Sequence, residues 1–174
     1  GRSMLYTQKL YELDPENPRR LWAVCDMHWQ LWDFEENLRC YERYLEKFPE
    51  DLEIRKQYAG QLQDYDEALR ISREHANLEP WSDYRKVQLA FFISLKRDHA
   101  GVLEVLSAAY PALLTDDAEI TDWTQWPARM LAQAMIETGD VDKGLALLDK
   151  IEAYVVASRK MQGGGWFAGI EDAQ

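Results

Sequence analysis

Four prolines, Pro15, Pro49, Pro80 and Pro111, stand 34, 31 and 31 residues apart. Each closes a helical stretch: Leu13-Asp14-Pro15, Lys47-Phe48-Pro49, Leu78-Glu79-Pro80, and the apolar-periodic run that ends at Ala109 before Pro111. A proline ring clashes with the preceding turn and donates no hydrogen bond, so each marks a stop. Stops at near-equal spacing restrict the chain to a unit repeated along its length. The whole sequence has only 6 prolines and 9 glycines in 174 residues. A chain of short strands needs a breaker about every 8–12 residues, so the unit is helical.

Between successive stops lie two periodic segments joined by a tight turn. The turns read Asp33-Phe34-Glu35-Glu36, Asp64-Tyr65-Asp66-Glu67-Ala68 and Gly139-Asp140-Val141-Asp142-Lys143-Gly144. The Asp in each starts a second helix, where its carboxylate accepts from free amides and acidic first-turn residues suit the helix dipole. Those second helices carry apolar residues at helical spacing: Leu38, Tyr41, Tyr44 and Leu45; Ala68, Leu69 and Ile71; Val102, Leu103, Leu106 and Ala109; Leu145, Leu148 and Ile151. Such a stripe buries against a hairpin partner and the next unit.

These features resemble the tetratricopeptide repeat, a helix-turn-helix unit of about 34 residues. The best matches are Leu131 to Val141 and the stretch from Trp32-Asp33-Phe34 through Tyr44-Leu45-Glu46-Lys47-Phe48-Pro49. The resemblance implies an all-α fold, a right-handed superhelix of antiparallel helix pairs forming an α-solenoid. It puts small residues where paired helices touch: Ala59, Ala90 and Ala132, with Cys25 in the same place, facing Ala68 and Gly144, with Asn37 and Val102 in the other two pairs. The second repeat lacks about three residues before Asp64, and Trp32 sits where a turn glycine is usual. The expected map is a single array: a lone helix over 4–13, pairs over 18–48, 51–79, 82–110 and 126–160, an acidic connector over 111–125, and a tail over 161–174. Leu21-Trp22 and Tyr41-Glu42-Arg43-Tyr44-Leu45 are also similar to the half-tetratricopeptide repeats of RNA-processing scaffolds, but the Gly139-Asp140 turn favours the first family. The unpaired first helix suggests a piece of a longer array, since each repeat contacts mainly its neighbours.

With 31 acidic and 20 basic residues the net charge is −11. That sign opposes phosphate backbones, so nucleic acid and anionic membrane are not expected partners. Hydrophobic residues at 47% and charged residues at 29% fit a chain that folds in water. No apolar run reaches the roughly 18 residues of a membrane span, and no secretory leader pattern is present. The chain is expected to be soluble, with the cytoplasm favoured. Gly1-Arg2-Ser3 reads as an expression remnant, which leaves open a leader on the parent protein.

The resemblance implies a concave groove lined by first helices that holds a peptide or helical segment of another protein. Position by position, it assigns to that groove Arg19, Trp22, Asp26 and Trp29; Lys56 and Gln63; Tyr84, Val87, Phe91 and Ser94; and Trp126, Arg129 and Gln133. Trp22 and Trp29 are two turns apart on one face, with Asp26 between them. Large aromatics make good anchors, although the same rings could pack between repeats. Trp22 and Asp26 stand where the carboxylate clamp of some family members would begin. The groove therefore suits an apolar segment or a helix carrying Lys or Arg. The expected function is a protein-interaction scaffold or adaptor. The alternative is a targeting or regulatory repeat lobe of a larger enzyme or of a secretion or assembly component.

No catalytic residues, cofactor or metal are expected. His28, His75 and His99 lie in different repeats without a ligand or nucleophile motif, and Gly163-Gly164-Gly165 follows a helix instead of linking a strand to one. Cys25 and Cys40, 15 residues apart, fit neither a disulfide scaffold nor a zinc spacing. Cys25, His28 and Cys40 could share a metal, but buried reduced thiols are the expectation. Past the glycines, Trp166 and Phe167 are expected to fold back near Leu148 and Ile151, or to enter a neighbouring molecule's groove.

Overall fold

The computed structural model describes the backbone of residues 2–163 and the side chains of residues 5–158. Its elements are α1 (Arg2–Leu13), α2 (Pro18–Gln30), α3 (Phe34–Lys47), α4 (Leu52–Gln61), α5 (Tyr65–Leu78), α6 (Asp83–Leu95), α7 (His99–Ala109), a 3-10 turn (Pro111–Leu114), α8 (Gln125–Glu137) and α9 (Val141–Gly163). No strand occurs among the described residues. Helices α1, α3, α5 and α7 each end two residues before a proline, where the residue preceding the ring is pushed out of helical geometry. The chain divides after Leu78 into two compact units. In the first, α2 pairs with α3 and α4 with α5, while α1 packs on α2 and α3 on α4. In the second, α6 pairs with α7 and α8 with α9, and α7 and α6 both meet α8.

The hairpins close by one device. Asp33 N–H bonds the carbonyl of His28 and Trp32 N–H that of Trp29; Asp64 and Gln63 repeat this on Ala59 and Gly60, Asp98 and Arg97 on Ile93 and Ser94, and Asp140 and Gly139 on Met135 and Ile136. This paired closure satisfies the last carbonyls of the first helix and needs one left-handed residue just before the Asp. That residue is Trp32 at φ 60°, Gln63 at 61°, Arg97 at 58° and Gly139 at 100°. The Asp then caps the second helix: the carboxylates of Asp33, Asp64 and Asp98 accept from the amides of Glu36, Glu67 and Gly101. One aspartate thus ends one helix and starts the next. The Arg97-Asp98 turn was not among those read from the sequence.

Three of these left-handed sites hold side chains that destabilise the conformation, by about 1–2 kcal/mol for an L-residue. Replacing Gln63 or Arg97 by Gly is expected to stabilise the protein by about 0.5–1 kcal/mol, after the extra freedom glycine gives the unfolded chain is subtracted. The check is a melting temperature roughly 2 °C higher for each variant. No rise would mean that the side chains earn their strain through contacts at the turn.

Small residues do sit at the helix crossings. Cys25, Ala59, Ala90 and Ala132 are buried, and so are the residues facing them, Asn37, Ala68, Val102 and Gly144. Asn37 is the polar exception and is satisfied: its Nδ2 donates to the Cys25 carbonyl at 2.7 Å, and its Oδ1 accepts from Gln61, which joins α2, α3 and α4. The expectation of reduced thiols is corrected: Cys25 and Cys40 form a disulfide, with Cα atoms 5.3 Å apart. The physical reason is the hairpin. Cys25 lies seven residues before Trp32 and Cys40 seven after Asp33, so antiparallel packing brings them face to face. The two cysteines are therefore not a metal pair.

Tyrosines join the repeats of the first unit. Tyr41 donates to Gln57 at 2.7 Å, Tyr44 to Asp51 at 2.7 Å and Tyr58 to Glu42 at 2.8 Å. Asp51 also caps α4 through the Ile54 amide, so Tyr44 fixes where that helix begins. Burial, then the hydrogen bond to Asp51 and its charge, hold the Tyr44 phenol well above its ordinary pKa. Helix α4 has ten residues against thirteen in α2, α6 and α8, the shortening expected before Asp64. In the second unit the 111–125 connector is pinned by buried Leu113 and Ile120. α9 ties it down further, with Lys150 Nζ donating to the carbonyls of Thr115 and Asp116 and Tyr154 to Asp122 at 2.6 Å.

Candidate partner-binding surface

Helix α2 has three faces. Leu21 and Cys25 are buried in the core shared with α3, and Val24, Met27 and His28 line a small cleft with Thr7 and Gln8 of α1. The remaining face carries Arg19, Trp22, Asp26 and Trp29. Trp22 keeps 40% of its surface and Trp29 49%, so neither ring is a core residue of this unit. Asp26 stands between them and accepts from Gln30 Nε2 at 2.6 Å. Burial raises the pKa of Tyr41, the hydrogen bond with Asn37 opposes the rise, and the charges of Asp26 and Glu53 add to it.

The stripe continues onto the hairpin tip, which the sequence reading took only as a turn. Phe34 packs edge-to-face with two tryptophans, with ring centroids 5.2 Å from Trp29 and 5.9 Å from Trp32. Trp32 is 79% exposed, and Leu31 and Phe34 are exposed beside it. Single exposed apolar residues are ordinary, but a contiguous aromatic patch marks an interaction surface. The signal was present in Trp29-Gln30-Leu31-Trp32-Asp33-Phe34, where four of six residues are large and apolar.

Helix α4 departs from its assignment. Lys56 is 2% exposed, and its Nζ lies 3.0 Å from Glu53 Oε2, so it is corrected from a groove residue to a buried ion-pair member. Glu53 also accepts from Gln57 at 2.9 Å and stands 3.9 Å from His75 Nδ1. A buried ammonium needs this partner, because an unpaired charge out of water is costly. Gln63 is exposed, at the left-handed turn position beyond the end of α4.

In the second unit, Val87 is 4% exposed and is likewise corrected to a core residue. Ser94 spends its hydroxyl on the Phe91 carbonyl at 2.6 Å. Phe91 is brought together with Trp126, ring centroids 5.7 Å apart, where α6 meets α8. Tyr84 is exposed, accepts from Gln88 at 2.8 Å and has the Arg85 guanidinium 5.4 Å from its ring centroid. Arg129 and Gln133 line a trough of about 730 Å³ between α8 and α9, with Ile136, Leu148, Ile151, Val155 and Val156. Among the described residues there is no group of three or more His, Cys, Asp or Glu able to hold a metal ion. No described helix is long and apolar enough to cross a membrane.

No family model and no curated protein matches the sequence. Solved structures match the fold. MamA from Desulfovibrio magneticus RS-1 superposes with a TM-score of 0.63 at 12% identity, over 90% of this chain and 85% of that one. YrrB, described as a TPR protein with an unusual peptide-binding site, gives 0.56 at 14% identity, over 86% and 75%. Yeast Tom70 gives 0.50 at 16% identity, over 92% of this chain and 43% of that one. The fold is therefore all-α, antiparallel helix pairs of the tetratricopeptide type, as expected from the residues.

Proposed function

We propose that this protein is a protein-interaction scaffold that holds a peptide or helical segment of a partner on its first-helix faces. The observation that carries the reading is the α2 face, where Trp22 and Trp29 remain exposed two turns apart with Asp26 between them. Burying two such rings supplies several kcal/mol, and aromatic residues dominate the energetics of protein interfaces. An apolar partner segment with a Lys or Arg fits, because the cation meets Asp26 while aliphatic neighbours cover the indoles. In the second unit, Tyr84, Phe91 and Trp126 offer a comparable aromatic face. Lys56 and Val87 have no part in the binding, and no catalysis is assigned. The same likeness to a peptide-binding repeat protein, YrrB, supports the class of partner.

The test is selection from a displayed peptide library followed by binding measurements on Trp22→Ala/Trp29→Ala. Selected peptides should combine aliphatic and basic residues. The double variant should lose at least about 30-fold in affinity, about 2 kcal/mol, with its helical circular dichroism intact. Equal binding by the variant, or loss of its helical spectrum, would remove these rings from the site.

A further inference from the structure

Trp166 and Phe167, expected near Leu148 and Ile151, lie outside the described residues. Among the described residues four hairpin tips close on one plan, and three of them carry a small or polar residue at the left-handed position: Gln63, Arg97 and Gly139. The first carries Trp32. A β-carbon destabilises that conformation and glycine relieves it, so a large ring there needs a compensating contact inside the fold or a role outside it. The fold supplies little. Trp32 is mostly exposed, and the ring it meets, Phe34, is itself 43% exposed. We propose that the tip of the α2–α3 hairpin is a second docking site, which takes a short arginine-bearing segment of another protein, with Trp32 as the stacking platform and Asp33 as the counter-charge. The site goes beyond the α2 face, since Trp32 and Phe34 stand at the hairpin edge and Trp29 joins the two surfaces.

Size sets the class of occupant. Taking about 200 Å² for each whole side chain, Trp29, Trp32 and Phe34 leave roughly 300–400 Å² exposed. That equals the largest apolar patch of an ordinary monomer, but it is well below the roughly 800 Å² that each partner gives to a standard interface. Charge also opposes a second copy, because each chain carries −11. A short segment is the occupant that remains. The apolar surface has room to extend toward the next hairpin: Gln61 donates to Asn37, which sets the end of α4 beside the start of α3, and Leu62 is exposed there.

Charge sets the chemistry. Residues 26–39 hold Asp26, Asp33, Glu35 and Glu36 against Arg39, a net of −3 with His28 neutral. Arg39 is committed to Glu35 and Glu36. Asp33 Oδ1 caps the Glu36 amide, whereas Oδ2 stands 3.7 Å from His28 Nδ1, too far for a hydrogen bond. An exposed indole and a carboxylate oxygen with spare accepting capacity are thus adjacent in the chain. A guanidinium suits this pair better than an ammonium does, because it is planar, stacks on an indole and donates in parallel to a carboxylate. Aliphatic neighbours of the arginine would cover Leu31 and Phe34. A membrane interface also takes exposed indoles, but an anionic leaflet repels a tip of this charge.

The experiment titrates the isotope-labelled full chain with two twelve-residue peptides, one alternating Leu with Arg and the other Leu with Lys. It follows the backbone amides of Leu31 and Phe34 in wild type, Trp32→Gly and Trp22→Ala. Glycine keeps the turn conformation and the net charge, so it removes the ring alone. The arginine peptide should move both amides, and the lysine peptide should bind several-fold more weakly. Trp32→Gly should lose at least about tenfold in affinity at these amides while melting no lower than wild type. In Trp22→Ala the same amides should still move, so failure of the α2 face as a site leaves this result standing. Amides that stay in place, equal affinity in Trp32→Gly, or equal affinity for the two peptides would overturn the proposal. A lower melting temperature for Trp32→Gly would overturn it too, because the ring would then serve the turn itself. So would binding to phosphatidylcholine vesicles that Trp32→Gly abolishes, which would make the tip a membrane contact.

Discussion

Gly144→Ala is expected to destabilise the second unit by about 2–3 kcal/mol, the upper part of the range for overpacking a close-packed site. A Cβ built on Gly144 would stand 2.5 Å from Ile136 Cγ1, 2.8 Å from the Ala132 carbonyl oxygen and 3.2 Å from the Ile136 amide nitrogen. Ile136 can move its side chain, but the Ala132 carbonyl belongs to the α8 backbone and cannot. The methyl must therefore push α9 away from α8 and loosen Leu131, Met135, Leu147 and Ile151 across the core. Thermal denaturation measures the loss. Adding Ile136→Ala to Gly144→Ala removes one of the two clashes and should recover only part of it. Full recovery would mean that side-chain crowding, and not backbone approach, sets the distance between these helices.

This crossing was legible in the sequence because it rests on residue size at a fixed place in the unit. Ala59, Ala90, Ala132, Ala68 and Gly144 are each small where two helices touch, and burial confirms every one. Helix ends were legible for a similar reason, since proline and aspartate act through local backbone geometry. The turn at Arg97-Asp98 was missed because no acidic residue follows Asp98 in the first turn of α7, so the pattern that marked the other turns is absent there. Lys56 was misplaced because groove positions were carried over by register alone. Register gives the angle of a side chain about its helix but not whether Glu53 and the rest of the unit close over it. Trp32 and Phe34 were passed over because they served as turn evidence, and a residue used to explain a turn is easily left out of the surface it also forms. The trough between α8 and α9 depends on how far two backbones separate, which no pattern of residue types specifies.

The proposed scaffold role places opposite demands on α2. Its outer face must hold Trp22 and Trp29 in register for a partner, while its inner face is fixed to α3 by Cys25 and by the Asn37 bond to the Cys25 carbonyl. Ordering an anchor before binding reduces the entropy lost on association, so rigidity on the inner face favours affinity on the outer one.

Breaking the Cys25–Cys40 bond should accordingly be the largest single change available in the first unit. The bond closes a loop with a sequence separation of 15 residues, and constraining a loop of that size in the unfolded chain is worth about 3 kcal/mol. At roughly 2–4 °C per kcal/mol, the melting temperature of the reduced chain should fall by about 6–12 °C. Neither cysteine is exposed, so reductant reaches the sulfurs only when α2 and α3 part. In native buffer the bond should resist reductant far longer than in denaturant, as followed by the mass of the alkylated chain. Cys25→Ala/Cys40→Ala should melt like the reduced chain and ignore reductant altogether. Because the bond lies behind the tryptophan face, the reduced chain should also bind selected peptides more weakly at temperatures where it is still fully folded. Equal melting temperatures with and without reductant, once mass has shown the bond to be cut, would leave the α2–α3 pair held by Leu21, Tyr41, Tyr44 and Asn37 alone and remove the staple from the account of the binding face.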